Sequence, residues 1–174
     1  MVKKAMVEYI KNELNDLYFT PIEAILPLAK HVPHHFKTIW ECADRGNSLI
    51  ADYFREQGRK VISTDIVTGF NFLSDEPDFD FDCIITNPPF SLKNDFLKKC
   101  YEYKKPFALL LPLESLGGVR RGSLFQQFGI SVIVLDRRVE YGGKSGCWFN
   151  SAWFTYGFGE NNKLCFERLI RDDQ

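Results

Sequence analysis

Asp82-Cys83-Ile84-Ile85-Thr86-Asn87-Pro88-Pro89-Phe90 is the stretch on which the reading of this chain turns. Its first five residues form an apolar run that reads as a buried strand, and two prolines then stop that strand. Each proline fixes its own φ near about −65° and restricts the residue before it, which holds Asn87 and Pro88 extended with their acceptors aimed outward. The asparagine side-chain oxygen and the main-chain carbonyl of Pro88 can together accept both hydrogens of an exocyclic amino group on a base. Two accepted bonds push electron density back onto a nitrogen that is otherwise conjugated into its ring and a poor nucleophile. Phe90 adds a flat face for a planar substrate. Asn-Pro and Pro-Pro are also ordinary loop punctuation, so a plain turn after a strand is the alternative.

Outward from that stretch, short apolar runs alternate with helical patterns. Thr38–Glu41 and Val61–Asp65 read as strands around a helix from Ser48 to Gln57, which Gly58 ends. After the motif come a helix from Asn94 to Tyr103, the strand Phe107–Leu111, a Gly117-Gly118 loop, a helix ending near Phe128 and the strand Ser131–Leu135. This alternation predicts βαβ units and a mostly parallel sheet with helices on both faces. The tail, Trp148 to Phe158 and Lys163 to Leu169, reads as extended pairs, predicting an antiparallel C-terminal strand. Toward the N-terminus, Met6, Ile10, Leu14 and Leu17 recur at helical spacing, predicting an amphipathic helix over Val2–Leu17. Thr20-Pro21-Ile22-Glu23 has the form of a capping box with proline at the first helical position, predicting a short second helix to about Lys30, kinked or shortened by Pro27.

With 174 residues, 45% of them hydrophobic and 26% charged, the chain suits a single globular domain, 1–174, with a sizeable core. Its five cysteines are odd in number and lack any Cys-x-x-Cys pair, which reads as buried thiols in a reducing cytoplasm. No apolar run has transmembrane length and the start is no signal peptide, so a cytoplasmic protein is expected. A net charge of −1 gives no global pull toward nucleic acid, and any such binding needs a local patch. His31, His34 and His35 have no Cys or carboxylate cluster near them in sequence and read as a surface turn around Pro33, with no metal expected. Gly142-Gly143-Lys144-Ser145 lacks the spacing of a phosphate loop. The acidic run from Asp75 to Asp82 reads as a solvated rim.

The motif at Asn87-Pro88-Pro89-Phe90 resembles that of the amino-group methyltransferases, in which Asn or Asp, two prolines and an aromatic end the fourth strand of a Rossmann-like sheet. Four further segments are similar in the same order. Glu41-Cys42-Ala43-Asp44-Arg45-Gly46 resembles the family's first cofactor loop, though Ser48 stands where a second glycine is usual. Asp65, roughly 20 residues on, stands where an acid accepts both ribose hydroxyls, its ordinary alternative being a cap or turn. Gly69-Phe70-Asn71-Phe72-Leu73 resembles the adenine-binding segment, with Asn71 where aspartate is usual. Tyr18-Phe19-Thr20-Pro21 resembles the segment that closes over the donor's carboxylate, within an N-terminal helical segment, 1–30.

The resemblance implies a class I methyltransferase fold, S-adenosylmethionine as cofactor and direct transfer of its methyl group without a metal. Asn87, Pro88, Pro89 and Phe90 would be catalytic; Tyr18, Thr20, Glu41, Ala43, Gly46, Asp65, Asn71 and Phe72 would bind the cofactor. Phe90 in place of tyrosine favours adenine in DNA, flipped from its duplex. RNA adenine, a protein glutamine, or an inactive cofactor- or nucleic-acid-binding module are the alternatives. Gly146 to Phe154 resembles the aromatic stretch that helps hold the base, giving Trp148 and Phe149 that role. Lys93, Arg120 and Arg121 are candidate phosphate ligands, with Arg137, Arg138 and Lys144 farther on. The sheet leaves no room for a target-recognition domain, so selectivity falls to short loops, a specificity partner subunit or a homo-oligomer. A phage or mobile element is a plausible setting for so compact an enzyme.

Overall fold

The computed structural model describes residues 18–141 and 147–169. The helix expected over Val2–Leu17 and the loop 142–146 lie outside them. Seven strands form one sheet: β1 Thr38–Glu41, β2 Lys60–Ser63, β3 Cys83–Thr86, β4 Phe107–Pro112, β5 Ser131–Leu135, β6 Ser151–Tyr156 and β7 Leu164–Glu167, in the spatial order β2-β1-β3-β4-β6-β5-β7. β2, β1, β3 and β4 run parallel, whereas β6 is antiparallel to both β4 and β5. β7 then pairs parallel with β5 at the far edge, so the two tail strands lie on opposite sides of β5 and do not pair with each other. The expected α/β, mostly parallel, Rossmann-like fold with an antiparallel strand near its C-terminus is the one observed.

Alternation along the strands explains the layers. Ile39, Cys83, Ile85, Ala108, Leu110 and Ile133 point to one face and pack against α1, Ile22–Ala29, and α2, Leu49–Glu56. Trp40, Ile84, Leu109 and Leu111 point to the other, where α3, Lys93–Glu102, and α4, Val119–Phe128, cover them. A strand flanked on both sides has no polar face, which is why Cys83–Thr86 and Phe107–Pro112 are buried throughout. Trp153 is fully buried, and its indole N–H donates to the Ala24 carbonyl at 2.7 Å, fastening α1 to β6.

Two local expectations change. The Thr20 capping box is absent: Pro21 occupies the N-cap of α1 with no side-chain cap, because the Thr20 hydroxyl is engaged elsewhere, by Asn87. α1 spans only eight residues and carries Pro27 near its end. The proline motif also follows the third strand among the described residues, where the resemblance implied a fourth. Residues 64–82 form a 3-10 turn, Ile66–Thr68, and loops, leaving β2 at the sheet edge.

Candidate functional site

β1 lies between its parallel neighbours β2 and β3, and the carboxyl ends of the three strands bring together Glu41, the last residue of β1, and Asp65 and Asn87 in the loops after β2 and β3. The chain goes outward from β1 to β2 and then returns to β1's other side for β3, so a crevice opens above the switch between β1 and β3. Tyr18, Thr20, Glu41 and Ala43 line this cleft with Asp65, Asn87, Pro88 and Pro89. Arg45, Asn47 and Ser48, not among the expected ligands, line it too. Asn71 and Phe72 face a smaller adjoining pocket that shares Ala43, Asp65 and Pro89 with the first. Gly46 lines neither, but its φ of 100° makes the turn that a side chain would strain.

The loop after β1 is built from hydrogen bonds to two buried acids. Asp44 Oδ1 accepts from the backbone amides of Gly46, Asn47 and Ser48 at 2.7, 3.1 and 3.1 Å. Glu41 Oε1 accepts from the Thr86 hydroxyl on β3 and from the Ala43 amide, and Oε2 from the Ser48 hydroxyl at 2.9 Å. Burial outweighs these donors and pushes the Glu41 carboxyl up to about 7. Ser48 stands where a second glycine was expected. Its φ of −77° and ψ of 112° need no glycine, and its hydroxyl both caps α2 at Ala51 and ties down Glu41. Asp44, Thr86 and Ser48 are the network members that sequence reasoning missed. A hydroxyl at the strand end before the motif was the available signal.

Asp65 serves as a cap and also lines the cleft. Its Oδ1 accepts from the Val67 amide at 2.8 Å in a capping box with Thr68, while Oδ2 lies 3.8 Å from Arg45 Nε. Burial raises its carboxyl above the usual carboxylate range, opposed by the Val67 amide and the Arg45 guanidinium. Asn71 closes a similar turn through Oδ1, which accepts from the Leu73 amide. Phe72 is a core residue stacked on Phe96 with ring centroids 4.7 Å apart.

Asn87 is arranged differently. Its Nδ2 donates to the Tyr18 carbonyl at 2.7 Å and to Thr20 Oγ1 at 2.9 Å. A carbonyl can only accept, so this pair fixes which way the amide faces. Oδ1 is then left buried with no hydrogen-bond partner. Such an orphan costs roughly 1–3 kcal/mol unless something arrives to donate to it.

Phe90 does not line the cleft. It is buried, and the Tyr18 ring stacks on it with centroids 4.8 Å apart, while Tyr141 and Phe149 meet it edge-on. Tyr18, backed by Phe90, therefore presents an aromatic ring at the cleft, which Phe19 also lines. The stretch Gly146 to Phe154 divides: Trp148 is 72% exposed with its ring edge-on to Phe149, whereas Trp153 and Phe154 are fully buried in β6. Of the candidate cations, Arg120 is exposed. Lys93 Nζ donates to the Phe90 carbonyl at 2.9 Å. The Arg121 guanidinium braces the Gly117-Gly118 loop against α3 by donating to the Ser115 and Gly117 carbonyls and to Asn94 Oδ1. No helix among the described residues is long and apolar enough to cross a membrane.

No protein-family model matches the chain, and no curated protein matches it. Among solved structures, it is similar to the methyltransferase subunit of a type I restriction-modification system from Streptococcus thermophilus, at 16% identity and a TM-score of 0.57, over 92% of this chain and 50% of that one. It is also similar to a Listeria monocytogenes protein assigned to the class I S-adenosylmethionine-dependent methyltransferases, at 14% identity and a TM-score of 0.55, over 90% of this chain and 67% of that one. The chain thus spans half the length of the restriction-modification subunit. At these identities the likeness establishes a common fold.

Proposed function

We propose that the protein transfers the methyl group of S-adenosylmethionine to the exocyclic amino group of adenine in DNA. The observation that carries this reading is the buried, unpartnered Oδ1 of Asn87, held in place by two bonds to its own amide nitrogen. An acceptor of that kind suits an amino hydrogen, and the Pro88 carbonyl beside it suits the second. When bound, S-adenosylmethionine supplies a methyl group activated on a sulfonium. Asn87 and Pro88 hold the amino group and raise the electron density on its nitrogen as the new N–C bond forms and the S–C bond breaks. The surplus proton passes to solvent.

The cleft's chemistry fits a cationic donor. Glu41 and Asp65 bring two carboxylates to a cleft that, among the described residues, Arg45 alone of the basic side chains lines, and a ligand cation would favour their ionised forms. Asp65 Oδ2 is the acceptor suited to ribose hydroxyls, and the small Ala43 and Gly46 allow close backbone approach. Asn71 and Phe72 in the adjoining pocket suit an adenine ring. A flipped base would meet Tyr18, supported by Phe90 and flanked by Phe149, with Trp148 and Arg120 outside on the approach. Arg121 and Lys93 would add charge near that approach while holding their own loops.

DNA is favoured over RNA and protein by Phe90 in the motif and by the fold shared with a restriction-modification subunit, which as one subunit of a larger system also motivates a specificity partner. A labelled-donor assay against DNA, RNA and protein in parallel, read by nucleoside and peptide mass spectrometry, tests this. Label on N6 of adenine in DNA alone is expected. Label on RNA or glutamine alone would move the substrate, and no label on any would favour a binding module.

A further inference from the structure

Away from the cleft, the far sheet edge brings together three side chains of metal-ligand type. Cys165 and Glu167 are two apart on β7 and so project to the same face, the one covered by α1. His31 lies just past Lys30, the C-cap of α1. Its Nε2 lies 2.9 Å from Glu167 Oε1 and 4.0 Å from Cys165 Sγ, and the three ligand atoms all fall within 4.8 Å of one another. Tetrahedral zinc with ordinary Zn–N, Zn–O and Zn–S bonds sets neighbouring donors roughly 3.3–3.6 Å apart, so the two distances from His31 need change by about half an ångström and the Cys165–Glu167 distance by at most about 1.3 Å, within the reach of side-chain rotation.

A proton relay to a nucleophilic thiol is a poorer reading of the same atoms. Such a relay uses one ring nitrogen for the acid and the other for the sulfur. Here Nε2 faces both, so the donors converge on one point. Lys30 Nζ holds the other carboxylate oxygen, Glu167 Oε2, at 2.7 Å, leaving Oε1 directed at the histidine. His31 and Cys165 also form part of the wall of a separate cleft with Ile133, Thr155 and Phe158, from which water can reach a fourth coordination position.

We infer that His31, Cys165 and Glu167 bind a Zn²⁺ ion that staples the edge strand β7 to the end of α1. β7 has only four residues and, among the described residues, a single partner strand, and its alternate side chains Leu164 and Phe166 are 61% and 71% exposed. An edge strand so thinly held gains from a crosslink. Binding exchanges the Cys165 S–H bond for a Zn–S bond, with the proton released to solvent.

The test uses the full chain stripped with a chelator and titrated with Zn²⁺, or with Co²⁺ as a spectroscopic probe. One ion per chain is expected, with a rise in Tm and a thiolate-to-cobalt absorption band. Cys165→Ala removes the band, and His31→Ala and Glu167→Gln each weaken Zn²⁺ binding at least about tenfold, as loss of one ligand should. Cys147→Ala leaves binding unchanged. Should Cys165→Ala fail to fold, Cys165→Ser keeps the side-chain size and must still lose the band. A wild-type chain without the band, or a band that survives in the folded Cys165 variants, overturns the inference.

Discussion

The loop after β1 and the loop after β3 stand side by side over the same cleft and are built on opposite terms. In the first, the acids are satisfied from within: Asp44 takes three backbone amides, and Glu41 takes two hydroxyls and an amide. In the second, the chain spends two acceptors to orient Asn87 and leaves its oxygen buried and unpaired. Saturated polar networks hold shape, whereas an orphaned acceptor is tolerated where a ligand completes it. The difference separates a loop that makes a cleft from a residue that acts in one.

The largest effect expected on the saturated side concerns pH. Folding raises the Glu41 carboxyl from 4.5 to about 7, so between those values the folded chain binds more protons than the unfolded one. Stability of the unliganded protein should therefore fall as pH rises through that window, by up to about 3 kcal/mol. Asp65, raised by its own burial, adds to the fall in the same direction. Denaturant melts at pH 5 and pH 7.5 should show the loss in wild type and much less of it in Glu41→Gln. Equal losses in both would mean that another group governs the titration.

Asp65 sharpens the comparison, since it is half cap and half cleft. Asp65→Ala should weaken S-adenosylmethionine binding by roughly 1–3 kcal/mol in calorimetry. Asp65→Asn keeps an acceptor for the Val67 amide and should recover thermal stability more fully than affinity. Identical losses of both in the two variants would reduce Asp65 to a structural cap. On the other side, Thr20→Val removes one of the two acceptors that orient Asn87. Turnover should drop about fivefold, the equivalent of about 1 kcal/mol, with donor Kd unchanged. A changed donor Kd with normal kcat would place Thr20 in cofactor binding instead.

The smallest effect separates two adjacent arginines. Arg120→Ala should lower the slope of log affinity against log salt by about 1 on any duplex, as loss of one phosphate contact does. Arg121→Ala should instead lower Tm, because its guanidinium braces the Ser115–Gly117 loop against α3. Equal slopes for Arg120→Ala and wild type would put that residue outside the interface.

Much of this was legible in the chain itself. Apolar runs bounded by breakers gave β1 to β5 within a residue or two, because strands buried on both faces leave continuous hydrophobic stretches. The order of Glu41, Asp65 and Asn87 along the chain became adjacency in space because parallel strands deliver their ends to one edge. What escaped the sequence depended on partners distant in the chain. Thr20 looked like a helix cap until Asn87, 67 residues away, claimed its hydroxyl. Phe90 looked available until Tyr18 was found stacked on it. His31 read as a surface turn because Cys165 lies 134 residues away, beyond any local pattern.

The central claim is that Asn87 acts on the target amino group and not on the donor. The most direct test measures single-turnover methyl transfer to adenine-containing DNA, together with donor Kd, for wild type and Asn87→Ala. Transfer should fall at least about a hundredfold in the variant with donor Kd essentially unchanged, the signature of an interaction made in the transition state. A variant that keeps most of its turnover, or loses it in proportion to donor affinity, would contradict the account.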